Sequence, residues 1–170
     1  CVSGAGTNNT TIAIGTATDN NYTFTPLLTS TFEVDKKDLE VTAVAPDIDY
    51  GDAEPTVTVT YDGFVCSDDA GDLTNVGFVL GTDYTQFDPV GTYHTTIAIG
   101  TATDDNYNFT PLTPSTFEVA KIALQVTAVA ADITYGDAAP TVTVEYSGFV
   151  GTDDAGDLDN TSFTLGTDYT

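Results

Sequence analysis

The chain has 170 residues, 26 of them acidic, with three lysines, no arginine and a net charge of −23. That balance excludes the clustered cations that nucleic acid or an anionic membrane surface would require, and it favours solubility, repulsion between chains and an affinity for cations. No apolar run is long enough to span a bilayer, and a threonine-rich composition with no Met and no Trp suits strands rather than helices.

The first ordered stretch is 10–34, TTIAIGTATDNNYTFTPLLTSTFEV, which returns at 95–119 as TTIAIGTATDDNYNFTPLTPSTFEV. The offset of 85 holds for Lys36 and Lys121, Tyr50 and Tyr135, Gly63 and Gly148, and Asp68 and Asp153; 59 of 85 aligned positions are identical. The chain is therefore a tandem array of 85-residue periods, each large enough for a modest core.

Within one period the elements follow in order. Leu39, Val41 and Ala43 alternate with Glu40 and Thr42, predicting a half-buried strand over 38–45. Asp47 to Pro55 reads as a turn, marked by Tyr50-Gly51-Asp52 and Pro55. Val57, Val59 and Tyr61 alternate with threonines in a second strand, ended by Asp62-Gly63. A polar loop from Cys66 to Asp72 leads into a helical turn at Asp68–Leu73, with Ser67 or Asp68 as N-cap. A short strand near Val76–Leu80 and a loop through Pro89 precede a strand whose inward side is Tyr93, Thr95, Ile97 and Ile99. After the turn at Gly100–Asn106, an extended segment runs through Tyr107 and Phe109, is interrupted by Pro111 and Pro114, and resumes at Phe117 and Val119. No segment shows a sustained helical period, so the expected class is all-β, a small β-sandwich per period. One complete repeat spans 36–120; 1–35 is the C-terminal half of a preceding sandwich and 121–170 the N-terminal half of a following one. Neither half can bury its apolar face alone, so 121–170 of one chain is expected to complete a sandwich with 1–35 of the next.

Certain motifs carry a resemblance. They are Lys-x-x-Leu-x-Val-Thr-Ala at 36–43, Tyr-Gly-Asp-Ala-x-Pro at 50–55, Tyr-x-Gly-Phe-Val at 61–65, Asp68-Asp69-Ala70, Pro89-Val90-Gly91-Thr92-Tyr93, and Asn106-Tyr107 before Thr116-Phe117-Glu118-Val119. In this order and spacing they resemble the MBG-type repeat, YGX class, of large bacterial cell-surface and secreted proteins. The resemblance implies immunoglobulin-like β domains strung in series in adhesin-like proteins, and a mucin or other extracellular glycan as a candidate ligand. One loop departs from the pattern: Cys1 to Thr7 stands where the second copy has Gln86 to Thr92, without its phenylalanine and proline.

Candidates for chemistry are few. His94, the single histidine, falls on the outward side of its strand, with no base and nucleophile arranged around it as catalysis would need. The tyrosines and phenylalanines fall mostly at inward or turn positions and read as core. The loops holding Asp68, Asp69 and Asp72, and their counterparts Asp153, Asp154 and Asp157, read as solvated turns; structural Ca²⁺ is the one cofactor their oxygens suggest, although the spacing is not that of an EF-hand. Lys36 and Lys121 sit at the passage between periods, a poor setting for a buried lysine cross-linked to Asn or Asp. Asn8, Asn9, Asn21, Asn108 and Asn160 begin glycosylation triplets that a threonine-rich chain contains by chance.

Cys1 and Cys66 lie in one period, and both counterparts, Gln86 and Gly151, lack sulfur. Following the strand directions places both at the joint between consecutive domains, which predicts a disulfide across it; two free thiols or a bond to another chain are the alternatives. Such bonds persist outside the cell. The expected function is a non-catalytic structural module of an extracellular or cell-surface stalk or fibre, with copies of itself in a head-to-tail array as partners and no membrane insertion in this segment. A glycan- or protein-binding adhesin module is the alternative.

Overall fold

The computed structural model describes residues 3–169. Among these the fold is almost entirely β: β1 (Gly6–Asn9), β2 (Thr31–Val34), β3 (Lys37–Val44), β4 (Ile48–Asp49), β5 (Thr58–Asp62), β6 (Val79–Thr82), β7 (Gly91–Ala98), β8 (Tyr107–Thr113), β9 (Thr116–Ala120), β10 (Gln125–Ala130) and β11 (Val142–Ser147). Two short 3₁₀ turns, Ala70–Asp72 and Ala155–Asp157, occupy equivalent places one period apart. The strands form sheets of order β5-β3-β8 and β4-β9-β7-β6, with the ribbons β1-β2 and β10-β11.

β3 follows from its alternation. Leu39, Val41 and Ala43 are fully buried while Glu40, Thr42 and Val44 are only partly so. The strand lies between two neighbours, antiparallel to β5 with Val41 opposite Tyr61 and parallel to β8 with Lys37 opposite Tyr107. The parallel ladder shifts register between Leu39 and Val41, beside Thr110 and Pro111. Proline has no N–H to give a ladder, and a bulge accommodates it. β8 thus runs through the proline expected to interrupt it. β4 was hidden inside the expected turn: two residues are too few for alternation to register, and Ile48 finds its place by pairing parallel with Val119. β6 begins three residues later than expected, at Val79, and Ile99 lies past the end of β7 and half exposed.

Contacts divide the chain into two compact units. The first takes in the chain through Pro46, Thr56–Asp83 and His94–Phe117; the second, Asp47–Pro55, Tyr84–Tyr93 and the chain from Glu118. In the first, Leu39, Val41, Ala102, Tyr107 and Phe109 form a cluster against which Phe64, Phe78 and Ile97 pack. Fully burying one such side chain contributes roughly 1.5–3 kcal/mol. Phe64 meets Tyr107 edge-on at 5.6 Å and Phe78 meets Phe109 at 5.0 Å. In the second unit Tyr84 is buried, stands edge-on to Tyr93 at 5.1 Å, and donates its hydroxyl to the Asp52 carbonyl at 3.0 Å.

Among the described residues of the first unit, two polar side chains are buried. Thr95 Oγ1 donates to the Ala43 carbonyl at 3.0 Å and accepts the Ser115 amide at 2.7 Å. The Asp104 carboxylate accepts the amides of Thr74, Asn106 and Tyr107 at 3.0, 2.8 and 2.9 Å. Burial pushes its pKa up, but the amide bonds outweigh burial and hold it below the ordinary carboxylate range. A depressed folded-state pKa stabilises the fold above the unfolded value near 3.9 and loses that contribution as pH falls through the folded value. Asp104→Ala is therefore expected to lower stability near neutral pH by about 1–3 kcal/mol, since three amides lose their acceptor. The deficit relative to the parent should shrink in urea titrations carried down through the acid range; a deficit unchanged with pH would contradict this account.

Candidate functional site

The tight turn at Tyr50-Gly51-Asp52 shapes the first part of the site. The Asp52 amide donates to the Asp49 carbonyl at 3.0 Å, and the Asp52 carboxylate accepts the Asp49 amide at 3.0 Å. Gly51 sits at φ 91, a region glycine occupies at no steric cost. The closed turn directs Tyr50 at Asp153, whose Oδ2 accepts the phenol at 2.9 Å. That bond, with burial adding, raises the Tyr50 pKa above its ordinary value. A Cβ on Gly51 would stand 2.7 Å from Val150 Cγ2, so the Gly51 backbone lies against the Val150 side chain more closely than any larger residue would allow. Gln86 Nε2 donates to the Gly51 carbonyl at 2.8 Å. Opposite it, Gly151 sits at φ 62 and a Cβ there would lie 2.6 Å from the Phe87 ring. Residues of 36–120 thus hold residues of 121–170 through Tyr50, Gly51 and Phe87 on one side and Val150, Gly151 and Asp153 on the other. All six belong to the second unit. Tyr50, Val150 and Asp153 border a cleft of ≈ 210 Å³ that Val90, Lys121 and Phe149 also line.

An equivalent cleft of ≈ 410 Å³ lies one period earlier, within the first unit, lined among others by Ala5, Lys37, Val65 and Asp68. Their counterparts at +85 are Val90, Ile122, Val150 and Asp153, all of which line the second cleft. Here the Ala5 amide donates to Asn106 Oδ1 at 2.9 Å. The Tyr107 hydroxyl donates to Asp68 Oδ2 at 2.7 Å and accepts the Val65 amide at 3.1 Å. Lys36 Nζ donates to the main-chain oxygen of Asp104 at 2.6 Å, rather than to its carboxylate.

The acidic loops are tied to protein donors. Asp69 caps the turn Ala70–Asp72, accepting the Gly71 amide, while Asp72 accepts the Asp69 amide at 2.9 Å; Asp154 and Asp157 repeat this arrangement. The N-cap is therefore Asp69, neither Ser67 nor Asp68, because Asp68 is drawn to Tyr107. Among the described residues no three His, Cys, Asp or Glu side chains converge as a metal set. His94 stands on the exposed side of β7, its ring 3.0 Å from the Asp83 carboxylate. The His94 main-chain amide, bonded at 2.6 Å, and then the imidazole hold Asp83 below the ordinary carboxylate pKa. The expected Cys1–Cys66 bond falls on Cys1, outside the described residues; Cys66 itself lies in the left-handed region at φ 58. The Tyr50–Asp153 bond was not foreseen, since 103 residues separate its ends. The signal for it was the return of both motifs at one offset.

A family model, the MBG domain of YGX type, matches residues 39–118 and again 124–169. The chain belongs to the MBG domain family. MBG domains are repeat modules of surface proteins, structural or adhesin-type in character. No curated protein and no solved structure matches this chain. Among the described residues no helix of this MBG chain is long and apolar enough to cross a membrane.

The joint between successive MBG periods makes a specific demand on Gly151. Gly151→Ala is expected to cost about 1–2 kcal/mol for the left-handed backbone alone, with the Phe87 contact adding to it. Amide hydrogen exchange at 149–153 should accelerate while exchange in β3 and β8 stays at the parent rate. Unchanged protection at 149–153 would remove the joint as a packed contact.

Proposed function

We propose that the chain is a spacer in an extended extracellular stalk or fibre, each period a non-catalytic module set end to end with the next. The observation that carries this reading is the pair of equivalent clefts: at the fixed offset of 85, the passage from one period to the next re-uses Val65 and Val150, and Asp68 and Asp153. A chain selected for length benefits from repeating one joint, because each added module then extends the array in a reproducible direction. Chains with two, three and four periods should show a maximum dimension in small-angle scattering that rises by a constant step per period. A dimension that levels off with added periods would sink the spacer reading. Binding of the same chains to a glycan array would favour the adhesin alternative.

In this reading Cys1 and Cys66 form a disulfide across the first joint, stiffening it where the second relies on packing. Two features support it. Ser3, Gly4 and Ala5 line the same cleft as Val65 and Asp68. Cys66 holds a left-handed conformation that its counterpart Gly151 adopts readily, at a cost of roughly 1–3 kcal/mol for a non-glycine residue, which local sequence alone would not retain. Closing a loop of this length stabilises by roughly 4 kcal/mol in the chain-entropy estimate. The unreduced protein should titrate no thiol under denaturing conditions, migrate as a single chain without reductant, and melt at lower temperature once reduced. Two titratable thiols before reduction would refute the bond.

A further inference from the structure

The way the chain enters and leaves the central sheet decides how a pull along it is resisted. β3 pairs parallel with β8, with Lys37 opposite Tyr107 and Thr42 opposite Thr113. The incoming chain is attached at the Lys37 end of this ladder, and the outgoing chain follows from the Thr113 end. Tension along the chain therefore draws the two strands past each other lengthwise. The rungs of a parallel pair are evenly spaced, so a lengthwise pull loads all of them together. The second unit repeats the arrangement on a smaller scale. There β9 carries the outgoing chain and lies parallel to β4, with Ile48 opposite Val119 and Asp49 opposite Ala120. The Tyr50 amide adds a bond to the Ala120 carbonyl at 2.8 Å.

The antiparallel pair beside β3 would respond differently. Glu40 lies opposite Asp62 and Val44 opposite Thr58, so the start of β3 and the end of β5 share one end of their ladder. A pull between those two points opens the rungs one after another. Tension from residue 36 to residue 120 does not act between them.

Two features oppose slippage of the β3–β8 ladder. Leu39 and Val41 are fully buried, and Tyr107 and Phe109 are buried beside them. Water can replace a stretched rung only by reaching it, and this apolar cluster keeps it from one face of the ladder. The register shift between Leu39 and Val41 then acts as a stop. A slip by one residue turns the buried side chains outward. A slip by two moves the shift away from Pro111, whose missing N–H it accommodates.

We propose that the complete period is a load-bearing module, in which the parallel ladder of β3 and β8 resists tension applied along the chain. This goes beyond the spacer reading, which requires length and not strength. It rests on that reading only for the source of the tension, a chain held at one end and pulled at the other.

The test is single-molecule force spectroscopy on the 170-residue chain, in reductant so that the main chain alone carries the load. Handles are attached through azide-bearing residues at exposed positions, in two arrangements. Replacing Asp35 and Ala120 loads the period along the chain, and replacing Asp35 and Asp62 opens β3 from β5. Far-UV circular dichroism and a melting curve matching the parent check that both leave the fold intact. The two arrangements share one fold and one equilibrium stability, so a difference in rupture force reports the direction of loading, through the rate of unfolding. The pull from 35 to 120 should rupture in one event, at a force several-fold above that of the pull from 35 to 62. The event should release the enclosed segment at roughly 3.3–3.6 Å per residue. Equal forces in the two arrangements overturn the proposal, as does a chain that lengthens gradually from 35 to 120 with no discrete event. Either failure leaves the spacer reading to the scattering of multi-period chains, which decides it independently.

Discussion

The constraint on which this fold depends is the pairing of β3 with β8, which sets Lys37 opposite Tyr107. Both strands carry side chains of the buried cluster, and neither can satisfy its ladder groups without the other. The pairing closes a loop of some seventy residues, whose entropy must be offset by many contacts at once. It is consequently all or nothing, and local sequence cannot hold half of it. The stretch Tyr-x-Phe-Thr-Pro-Leu shows this directly, being a strand at 107–112 and irregular at 22–27. The two copies differ little in intrinsic propensity; only one has a partner strand. Strand formation here is a property of the assembled sheet, as expected where β-propensity reflects packing against neighbours.

This explains which parts of the fold were legible in the sequence. β3, β5, β7 and β9 announced themselves because each alternates on a half-buried surface, a pattern written residue by residue. The fixed offset announced the tandem array, and the motifs announced the family. The two parallel ladders were not legible, since alternation says that a strand exists and not which strand lies beside it or in which direction. β4 escaped because its two residues are a strand only by virtue of Val119 and Ala120. β8 was read as broken at Pro111 because a proline counts against a strand until a bulge in the ladder absorbs it. At the joint, Gly51 reads as an ordinary turn glycine and Gly151 only as the counterpart of Cys66 that lacks sulfur. Only the structure adds that each is also the point of closest approach to Val150 or Phe87.

The acidity of the chain has a structural use that composition could not reveal. Five times an aspartate accepts the amide three residues before it: Asp52 from Asp49, Asp72 from Asp69, Asp88 from Thr85, Asp137 from Thr134 and Asp157 from Asp154. In another pattern Asp19 and Asp104 each accept the amides two and three residues ahead. A fold of short strands needs many tight turns, and an aspartate closes a turn by hydrogen-bonding the local backbone. Much of the negative charge thus follows from the number of turns. Asp68 and Asp153 act differently, each accepting a tyrosine hydroxyl instead of capping the turn beside it.

That charge also bears on how such modules associate. With 26 acidic residues against three lysines, two copies of the chain repel, and the repulsion reaches about 8 Å at physiological ionic strength. The joints themselves are of two kinds. One places Val65, next to Cys66 in sequence, in a cleft with Ser3, Gly4 and Ala5, from a loop without the phenylalanine and proline of its counterpart; the other sets Phe87 against a glycine that leaves room for the ring. Side chain and space vary together at the two joints: a residue with a sulfur stands where the loop is smaller, and glycine stands where the loop brings an aromatic ring. Compensation of that sort is what packing at a close approach imposes, and it marks the joint, rather than any exposed loop, as the part of the repeat whose geometry is most tightly held.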